Sequence, residues 1–263
     1  MSIHRMGYVE RNSLLHRLDG LSKLLFLLLF LAAVIVTQRV MGFLLLMATL
    51  LLCARLGKVP RQTVLGGIWQ MRYFFLLIFL MNFAFFDAQH AFFSWWIFTF
   101  SQEGLLFGTK TVVRVLLAVA AGNIFTAITT PVAITGAMET LLYPLQWIGV
   151  PVRDVAMILG VAIQFVPLFL RETDTIKMAQ TARGAPFYSK KLSERAGCVL
   201  PLVLPVFLSA FKRADELACA MEARGYVRKK GRMPLRKRHL RRADFLCIGG
   251  GIALCVLSIL IFR

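Results

Sequence analysis

The stretch LLFLLLFLAAVIV at residues 24–36, followed by TQR at 37–39 and VMGFLLLMATLLLCA at 40–54, decides the fold class. Two apolar runs joined by three polar residues predict a tight pair of membrane-spanning helices. A cleavable signal peptide also starts with a basic segment and an apolar run. Here a second apolar run follows at once, and no small-x-small cleavage site intervenes. The chain is therefore predicted to be an all-α integral membrane protein.

The composition of the chain agrees with a membrane location. Of its 263 residues, 58% are hydrophobic and 17% are charged, with a mean hydropathy of +0.71, which is too apolar for an ordinary soluble domain. The 31 Lys and Arg against 13 Asp and Glu give a formal charge of +18. On an apolar chain, this surplus predicts contact with anionic lipid headgroups and control of topology before it predicts nucleic-acid binding.

The distribution of apolar runs and basic residues predicts about five transmembrane helices. The predicted spans are residues 24–36, 40–54, 68–86, 105–128 and 245–262. Because 19 of the 31 basic residues lie between Pro131 and Arg242, the positive-inside rule places that stretch in the cytoplasm, with the N-terminus inside and the C-terminus outside. The chain then divides into 1–130 (N-terminal segment and four spans), 131–227 (cytoplasmic helices), 228–244 (basic juxtamembrane segment) and 245–263 (last span).

Two further apolar runs of 16 residues, at 155–170 and 196–211, leave a seven-span topology open. Crossing there would expose the basic connection between the runs on the outer face, and each run falls just short of the roughly 17–25 residues of a comfortable span. Pro201 and Pro205 are expected to interrupt the second run. We therefore predict long helices that lie along or dip into the inner leaflet and project polar ends into the cytoplasm.

A short internal repeat follows these two runs. Shifted by 41 residues, 171–184 aligns with 212–225, and an Ala-Arg-Gly tripeptide ends both units. Each unit is predicted to be a helix that ends at its glycine, because glycine readily takes the left-handed conformation of a helix C-terminus. An arginine there offers a planar fork of donors to a carboxylate. The alternative is that both arginines only cap their helices and point into water.

Several motifs resemble those of one membrane-protein family. They are LHRLD at 15–19, TTP at 129–131, GVP at 149–151, QFVP at 164–167, AQTARGA at 179–185, SAFKRADEL at 209–217 and AMEARGY at 220–226. Together they make the chain similar to the T component of energy-coupling factor (ECF) transporters, the EcfT and CbiQ family. The chain departs from the family's opening motif at Gly20-Leu21-Ser22, where Pro-Arg-Thr is usual.

The resemblance implies roles for two sets of residues. The tripeptides would end crossed coupling helices and bind two ABC-type ATPase subunits, through Ala182, Arg183, Gly184, Ala223, Arg224 and Gly225. The apolar runs before them would contact a separate substrate-binding membrane subunit, the S component, through Val155, Leu159, Ile163, Val166, Leu170, Leu200, Leu204, Phe207 and Phe211. The alternative is that these apolar side chains pack on the chain's own spans.

The resemblance thus implies a non-enzymatic scaffold of an ATP-driven importer in a prokaryotic plasma membrane, for uptake of a vitamin or a transition-metal ion. ATP and magnesium would be bound by the partner ATPases, since the sequence has no G-x-x-x-x-G-K-[ST] phosphate loop. No catalytic constellation or metal-ligand spacing is readable. The alternative is a self-contained ion-coupled transporter or membrane enzyme with regulatory cytoplasmic helices. The predicted spans contain no Asp or Glu for an ion relay, which argues against that alternative.

Two cations within a predicted span and one basic segment are the remaining charged features of the sequence. Lys110 and Arg114 lie in the predicted fourth span, where a cation costs about 3 kcal/mol. The deeper Arg114 is expected to find an acceptor within the helix bundle or at a subunit interface. Residues 228–242 include nine cations in fifteen positions. Their place directly before the last span favours anionic lipid headgroups over nucleic acid.

Overall fold

The structure is a computed structural model that describes residues 13, 15, 16, 18–85, 91–95, 98–149, 151–187, 189, 191–226 and 242–261. The helices are α1 (Gly20–Val36), α2 (Val40–Leu56), α3 (Arg61–Gln70), α4 (Arg72–Phe85), α5 (Gln102–Ile128), α6 (Pro131–Leu142), α7 (Val152–Ala182), α8 (Leu192–Gly197), α9 (Val199–Ala223) and α10 (Arg242–Ile261). A 3-10 helix, Tyr143–Ile148, follows α6. The predicted all-α fold class is confirmed. In the described part of the chain, the β structure is one antiparallel hairpin of β1 (Ala91–Trp95) and β2 (Phe98–Ser101).

The chain divides into two compact units. The first consists of Met1–Ala156 together with His239–Arg263, and the second is Met157–Arg238. Helices α1 to α6 and α10 belong to the first unit, whereas α8 and α9 belong to the second. The α7 helix begins in the first unit and continues through the second.

The helix lengths agree with a multi-pass membrane protein. By length and composition, Gly104–Ile128, Asp154–Ala182 and Arg242–Leu260 could each cross a membrane. The α1 and α2 helices have 17 residues each, or about 26 Å at 1.5 Å per residue, slightly less than the ~30 Å hydrocarbon core. The α7 helix qualifies as a span on these criteria, although the sequence predicted it as a coupling helix.

The predicted third span is not one straight helix. The sequence predicted it over 68–86, but α3 and α4 meet at Met71 with a bend of 52°. At the junction, the Met71 N–H donates to the Ile68 carbonyl at 3.1 Å, three residues back, which tightens the last turn of α3. The Arg72 guanidinium lies 5.2 Å from the Trp69 ring centroid and 4.7 Å from that of Tyr73, so cation–π contacts on both sides of the break stabilise it.

The core of the first unit lies between α1, α2 and α5. Leu46 and Leu117 are fully buried, and Ala33 and Val34 of α1 face the same cluster. The α5 helix packs against α1, α2, α3 and α4, while α1 also contacts α6 and α10. Small residues on α1 and α5 let larger aliphatic side chains from α2 fill the space between them, which is the packing that lipid-embedded helices favour.

The second unit corrects one sequence expectation. Pro205 was expected to interrupt the apolar run, but α9 continues through it from Val199 to Ala223. Pro201 lies in the first turn, where its missing N–H needs no partner. The prolines of α9 therefore remove only one backbone hydrogen bond, the one that an N–H at position 205 would donate. Pro167 is tolerated within α7 in the same way. Each tripeptide therefore ends the helix that contains most of the apolar run before it.

Candidate functional site at the ends of α7 and α9

The first Ala-Arg-Gly tripeptide ends α7 in a Schellman motif. Gly184 has a φ of +87°, which a residue without a Cβ adopts at low cost. Its N–H donates to the Thr181 carbonyl at 3.0 Å, and the Ala185 N–H donates to the Gln180 carbonyl at 3.0 Å. These two bonds define the motif and satisfy carbonyls at the end of the helix. Arg183 is thus the C-cap residue of α7.

The second tripeptide ends α9 with the same bonds. Gly225 has a φ of +69°, and its N–H donates to the Glu222 carbonyl at 2.8 Å. The Tyr226 N–H donates to the Met221 carbonyl at 2.9 Å, and Arg224 is the C-cap residue. The helix ends predicted at both glycines are confirmed. The 41-residue repeat is therefore a repeat of local structure as well as of sequence.

Both arginines are accessible. All six residues of the two tripeptides are exposed, and among the described residues no carboxylate forms an ion pair with Arg183 or Arg224. Each guanidinium lies beside the carbonyl end of its helix, where the helix dipole favours a positive charge. The helix-capping interpretation is compatible with this geometry, and so is a bidentate contact with a carboxylate of a partner.

An ion pair joins α7 and α9 at equivalent positions of the repeat. The Arg213 Nη2 lies 3.5 Å from the Glu172 Oε2, and the 41-residue shift that aligns the tripeptides also aligns these two positions. Each lies 11 residues before the C-cap arginine of its helix, or about 17 Å along the axis. The two arginine ends are therefore equally far from one shared contact, and no pattern in the sequence pointed to this pairing.

The apolar residues predicted to contact an S component lie on exposed faces of α7 and α9. Eight of the nine are between 42% and 70% exposed: Val155, Leu159, Val166, Leu170, Leu200, Leu204, Phe207 and Phe211. Ile163 is half-buried. No described residue of α9 is buried.

A buried polar cluster at the start of α1 was missed by the sequence reasoning. Asp244, 2% exposed, accepts hydrogen bonds at Oδ1 from the Ser22 hydroxyl at 2.7 Å and the Asp19 backbone N–H at 2.9 Å. Asp19 is also the N-cap of α1, accepting from the Gly20 N–H at 2.9 Å. The available signal was an acid at the first turn of the last predicted span, a position where carboxylates interact with helix N-termini.

Lys23 extends this polar cluster to the end of α5. Its Nζ donates to the Ile128 carbonyl at 3.1 Å and to the His16 carbonyl at 3.3 Å. The ends of α5 and the starts of α1 and α10 thus meet at one place.

Arg114 caps the other end of α1. Its Nε donates to the Val34 carbonyl at 3.2 Å and its Nη2 to the Thr37 carbonyl at 2.9 Å. These carbonyls at the end of α1 lack helical partners of their own. The expectation that Arg114 finds an acceptor within the helix bundle is confirmed. The α1 and α5 helices run antiparallel. Lys23 of α1 caps the C-terminus of α5, and Arg114 of α5 caps the C-terminus of α1.

No group of three or more potential metal ligands occurs in the described part of the chain. The cysteines Cys53, Cys198, Cys219, Cys247 and Cys255 are free thiols.

Comparison with known proteins gives a consistent similarity along nearly the whole chain. The family model CbiQ, described as cobalt transport protein, matches residues 11–235. The energy-coupling factor transporter transmembrane protein EcfT of Acidaminococcus fermentans is 35% identical over 254 residues, 97% of this chain and 93% of that protein. The EcfT proteins of Ruminiclostridium cellulolyticum (36% over 242 residues, 92% and 90% of the two chains) and Bacillus subtilis (35% over 255 residues, 97% and 95%) are similar as well. The matched region includes both tripeptides.

Proposed function

The chain belongs to the CbiQ family and is the transmembrane (T) component of an energy-coupling factor transporter, and we propose that it couples two ABC-type ATPase subunits to a substrate-binding S component. The observation that carries this proposal is the pair of matching helix ends. Arg183 and Arg224 are both exposed C-cap residues of Schellman motifs with the same hydrogen bonds. In the proposal, each arginine makes a bidentate contact with a carboxylate on one ATPase.

The ion pair between Glu172 and Arg213 supports a symmetric arrangement of the two docking ends. Because it joins equivalent positions of α7 and α9, it gives each arginine the same distance to the contact between the helices. Two similar ATPases bound at such ends would be related by an approximate two-fold axis, the commonest relation between paired subunits. Closure of the ATPases on ATP would then move both helix ends by comparable amounts.

The exposed apolar faces of α7 and α9 are the proposed contact with the S component. Helices at a membrane gain stability from close packing with a partner helix, and a face with Leu200 at 70% and Phe207 at 58% exposure offers a large apolar area for it. In this scheme, the S component binds the cargo, a vitamin or a transition-metal ion. The partner ATPases bind ATP and magnesium, and this chain is a non-catalytic subunit of the complex.

The proposed topology has the N-terminus in the cytoplasm and the C-terminus outside. Two observations support it. The α1 and α10 helices run in the same direction, since Asp244 bonds to Ser22 while Gly251 lies beside Phe26 and Leu29. The cations concentrate between the end of α5 and the start of α10. Both tripeptides are then cytoplasmic. The basic residues 228–241 lie outside the described residues, and they remain a proposed contact with anionic headgroups.

The proposal is tested by purifying the whole complex with Arg183→Ala and Arg224→Ala combined. We expect the chain to insert normally and to lose both ATPases on detergent purification, measured as the ATPase-to-chain ratio on a calibrated gel. The matched control is Arg171→Ala with Lys212→Ala, two exposed cations that are also equivalent in the repeat but lie away from the helix ends. Retention of both ATPases by the double Arg183/Arg224 variant would contradict the proposal.

Cysteine labelling tests the topology independently. In a chain whose native cysteines are replaced, Lys190→Cys and Lys230→Cys should both react with a membrane-impermeant maleimide only from the cytoplasmic side, measured in right-side-out and inverted vesicles. Reaction of position 190 from outside would establish the seven-span topology, in which α7 and α9 both cross the membrane between α5 and α10.

A further inference from the structure

An apolar groove lies between α2 and α10 in the first unit. It has a volume of about 710 Å³. Its walls include Leu52 and Leu56 of α2 and Leu246 and Leu254 of α10, and Leu52, Leu56 and Leu246 are 56%, 41% and 78% exposed. Exposed aliphatic walls of this kind match a hydrocarbon surround, and the groove is open along one side.

The inner wall of the groove adjoins a smaller cavity. That cavity, of about 100 Å³, shares Phe26, Cys53 and Cys247 with the groove and reaches Lys23 at its far wall. Lys23 uses two of its three N–H donors on backbone carbonyls, and the other lining residues of the cavity are aliphatic or aromatic side chains and two cysteines. The space available to a ligand is therefore apolar.

The length of the groove corresponds to one leaflet of a bilayer. Along α10 it extends from Ala243 to Leu254, or about 17 Å at 1.5 Å per residue. Half of the hydrocarbon core of a bilayer is about 15 Å thick. The groove begins at the first turn of α10, on the side where the starts of α1 and α10 meet the end of α5. It therefore fits an acyl chain from the leaflet on that side.

Cations flank the end of the groove at that membrane surface. Arg55 and Lys58 lie on either side of the wall residue Leu56, and Arg242 directly precedes the wall residue Ala243; all three cations are exposed. The nearby acid Asp244 is 2% exposed and accepts two hydrogen bonds from the start of α1, so it faces away from solvent. The electrostatic field at this end favours an anionic headgroup.

We propose that the groove between α2 and α10 binds a phospholipid with an anionic headgroup. One acyl chain lies along Leu52, Leu246 and Leu254, and the phosphate lies at the membrane surface beside Arg55 and Arg242. The bound lipid fills the space between α2 and α10. The proposal uses no residue of either tripeptide, so it does not rest on the coupling role.

Glycines of α10 give a matched pair of variants. A Cβ added at Gly250 or at Gly249 would meet no atom within 4 Å, so a side chain can start at either position without a clash at its Cβ. Gly250 lines the groove and Gly249 does not. Gly250→Phe should therefore fill the groove, whereas Gly249→Phe adds the same side chain to the same helix outside it.

The measurement is native mass spectrometry of the full-length chain in detergent, with added palmitoyl-oleoyl phosphatidylglycerol or phosphatidylcholine. We expect one retained phosphatidylglycerol, and a fall in its retention by about ten-fold or more in Gly250→Phe, since loss of only two buried methylenes changes affinity by that factor. Gly249→Phe should retain it. Arg55→Gln with Arg242→Gln should reduce the preference for phosphatidylglycerol by about five-fold or more, whereas Arg39→Gln at the opposite end of α2 should not.

Three results would overturn the proposal. One is equal retention of the two lipids by the unaltered chain, which indicates nonspecific annular lipid only. Another is unchanged phosphatidylglycerol retention in Gly250→Phe. The third comes from a photo-crosslinking amino acid at Leu246 in membranes containing the whole complex: crosslinks to a protein chain instead of lipid would assign the groove to a protein partner. Crosslinks to lipid support the proposal even where Gly250→Phe does not fold.

Discussion

Asp244→Ala should be among the most destabilising single substitutions in the first unit. Asp244 Oδ1 accepts from the Ser22 hydroxyl at 2.7 Å and from the Asp19 backbone N–H at 2.9 Å. Asp244 is 2% exposed and Ser22 is fully buried, so water cannot replace the lost acceptor in the variant. The Asp19 N–H would lose its acceptor, the Ser22 hydroxyl would keep only the Asp19 carbonyl at 2.8 Å, and the start of α10 would lose both bonds to the start of α1.

The size of the effect follows from those two bonds. A hydrogen bond to a carboxylate contributes about 1.5–3 kcal/mol, so two such bonds contribute about 3–6 kcal/mol, less what the Ser22 hydroxyl regains from the Asp19 carbonyl. We expect Asp244→Ala to lower the free energy of unfolding by about 3–5 kcal/mol. At about 2–4 °C per kcal/mol for a chain of this size, the thermal midpoint should fall by about 6–20 °C. Asp244→Asn keeps an acceptor at Oδ1 and should lose less than half as much.

Circular dichroism of the full-length chain in detergent during heating measures the midpoint. Asp174→Ala, which removes an exposed acid of α7, is the control for a change of charge alone. A double-mutant cycle with Ser22→Ala should give a coupling free energy of about 0.5–3 kcal/mol. If Asp244→Ala shifts the midpoint no more than Asp174→Ala does, the buried cluster does not stabilise the protein and the reasoning is refuted.

Two further predictions concern close contacts. Gly20→Ala should lower the thermal midpoint by the equivalent of about 1–3 kcal/mol, because the added Cβ would lie 2.6 Å from the Ala133 carbonyl oxygen. The control is Gly122→Ala, where nothing lies within 4 Å, and it should be neutral or stabilising. Equal shifts in the two variants would show that α6 does not approach α1 this closely. For the ion pair, Glu172→Arg or Arg213→Glu alone should lower the midpoint and the exchanged pair should restore it, with a coupling of about 0.2–1 kcal/mol in a double-mutant cycle; zero coupling would mean that the two helices do not meet at these positions.

Local features of this protein could be predicted from its sequence because they depend on neighbouring residues. The helical hairpin of α1 and α2 follows from two apolar runs and a three-residue turn, since backbone groups in a membrane must pair within their own segment. The ends of α7 and α9 follow from Gly184 and Gly225, because only glycine takes a positive φ there at low cost. The burial of Arg114 against an acceptor follows from the energetic cost of an unpaired cation in the bilayer.

Other local expectations failed or were incomplete where a local rule had competing solutions. A helix can lose one hydrogen bond at Pro205 and continue, since the surrounding bonds of α9 remain. The third apolar run could have formed one straight helix, but contacts of Arg72 with two aromatic rings stabilise a break beside Met71. Neither the continuation of α9 nor the break beside Met71 can be read from hydrophobicity alone. Hydrophobicity indicates which segment is buried, but not whether its helix bends.

The sequence by itself determined which segments are apolar enough to be helices in a membrane and which glycines end the two long helices. Only the tertiary structure decided which residues meet: Asp244 bonds to Ser22, 222 positions away, and Glu172 pairs with Arg213 at equivalent positions of the repeat. The physical reason is that a helix satisfies its backbone within a few residues, whereas the partner of a buried side chain is chosen by packing among distant segments. That packing joins the starts of α1 and α10 to the end of α5.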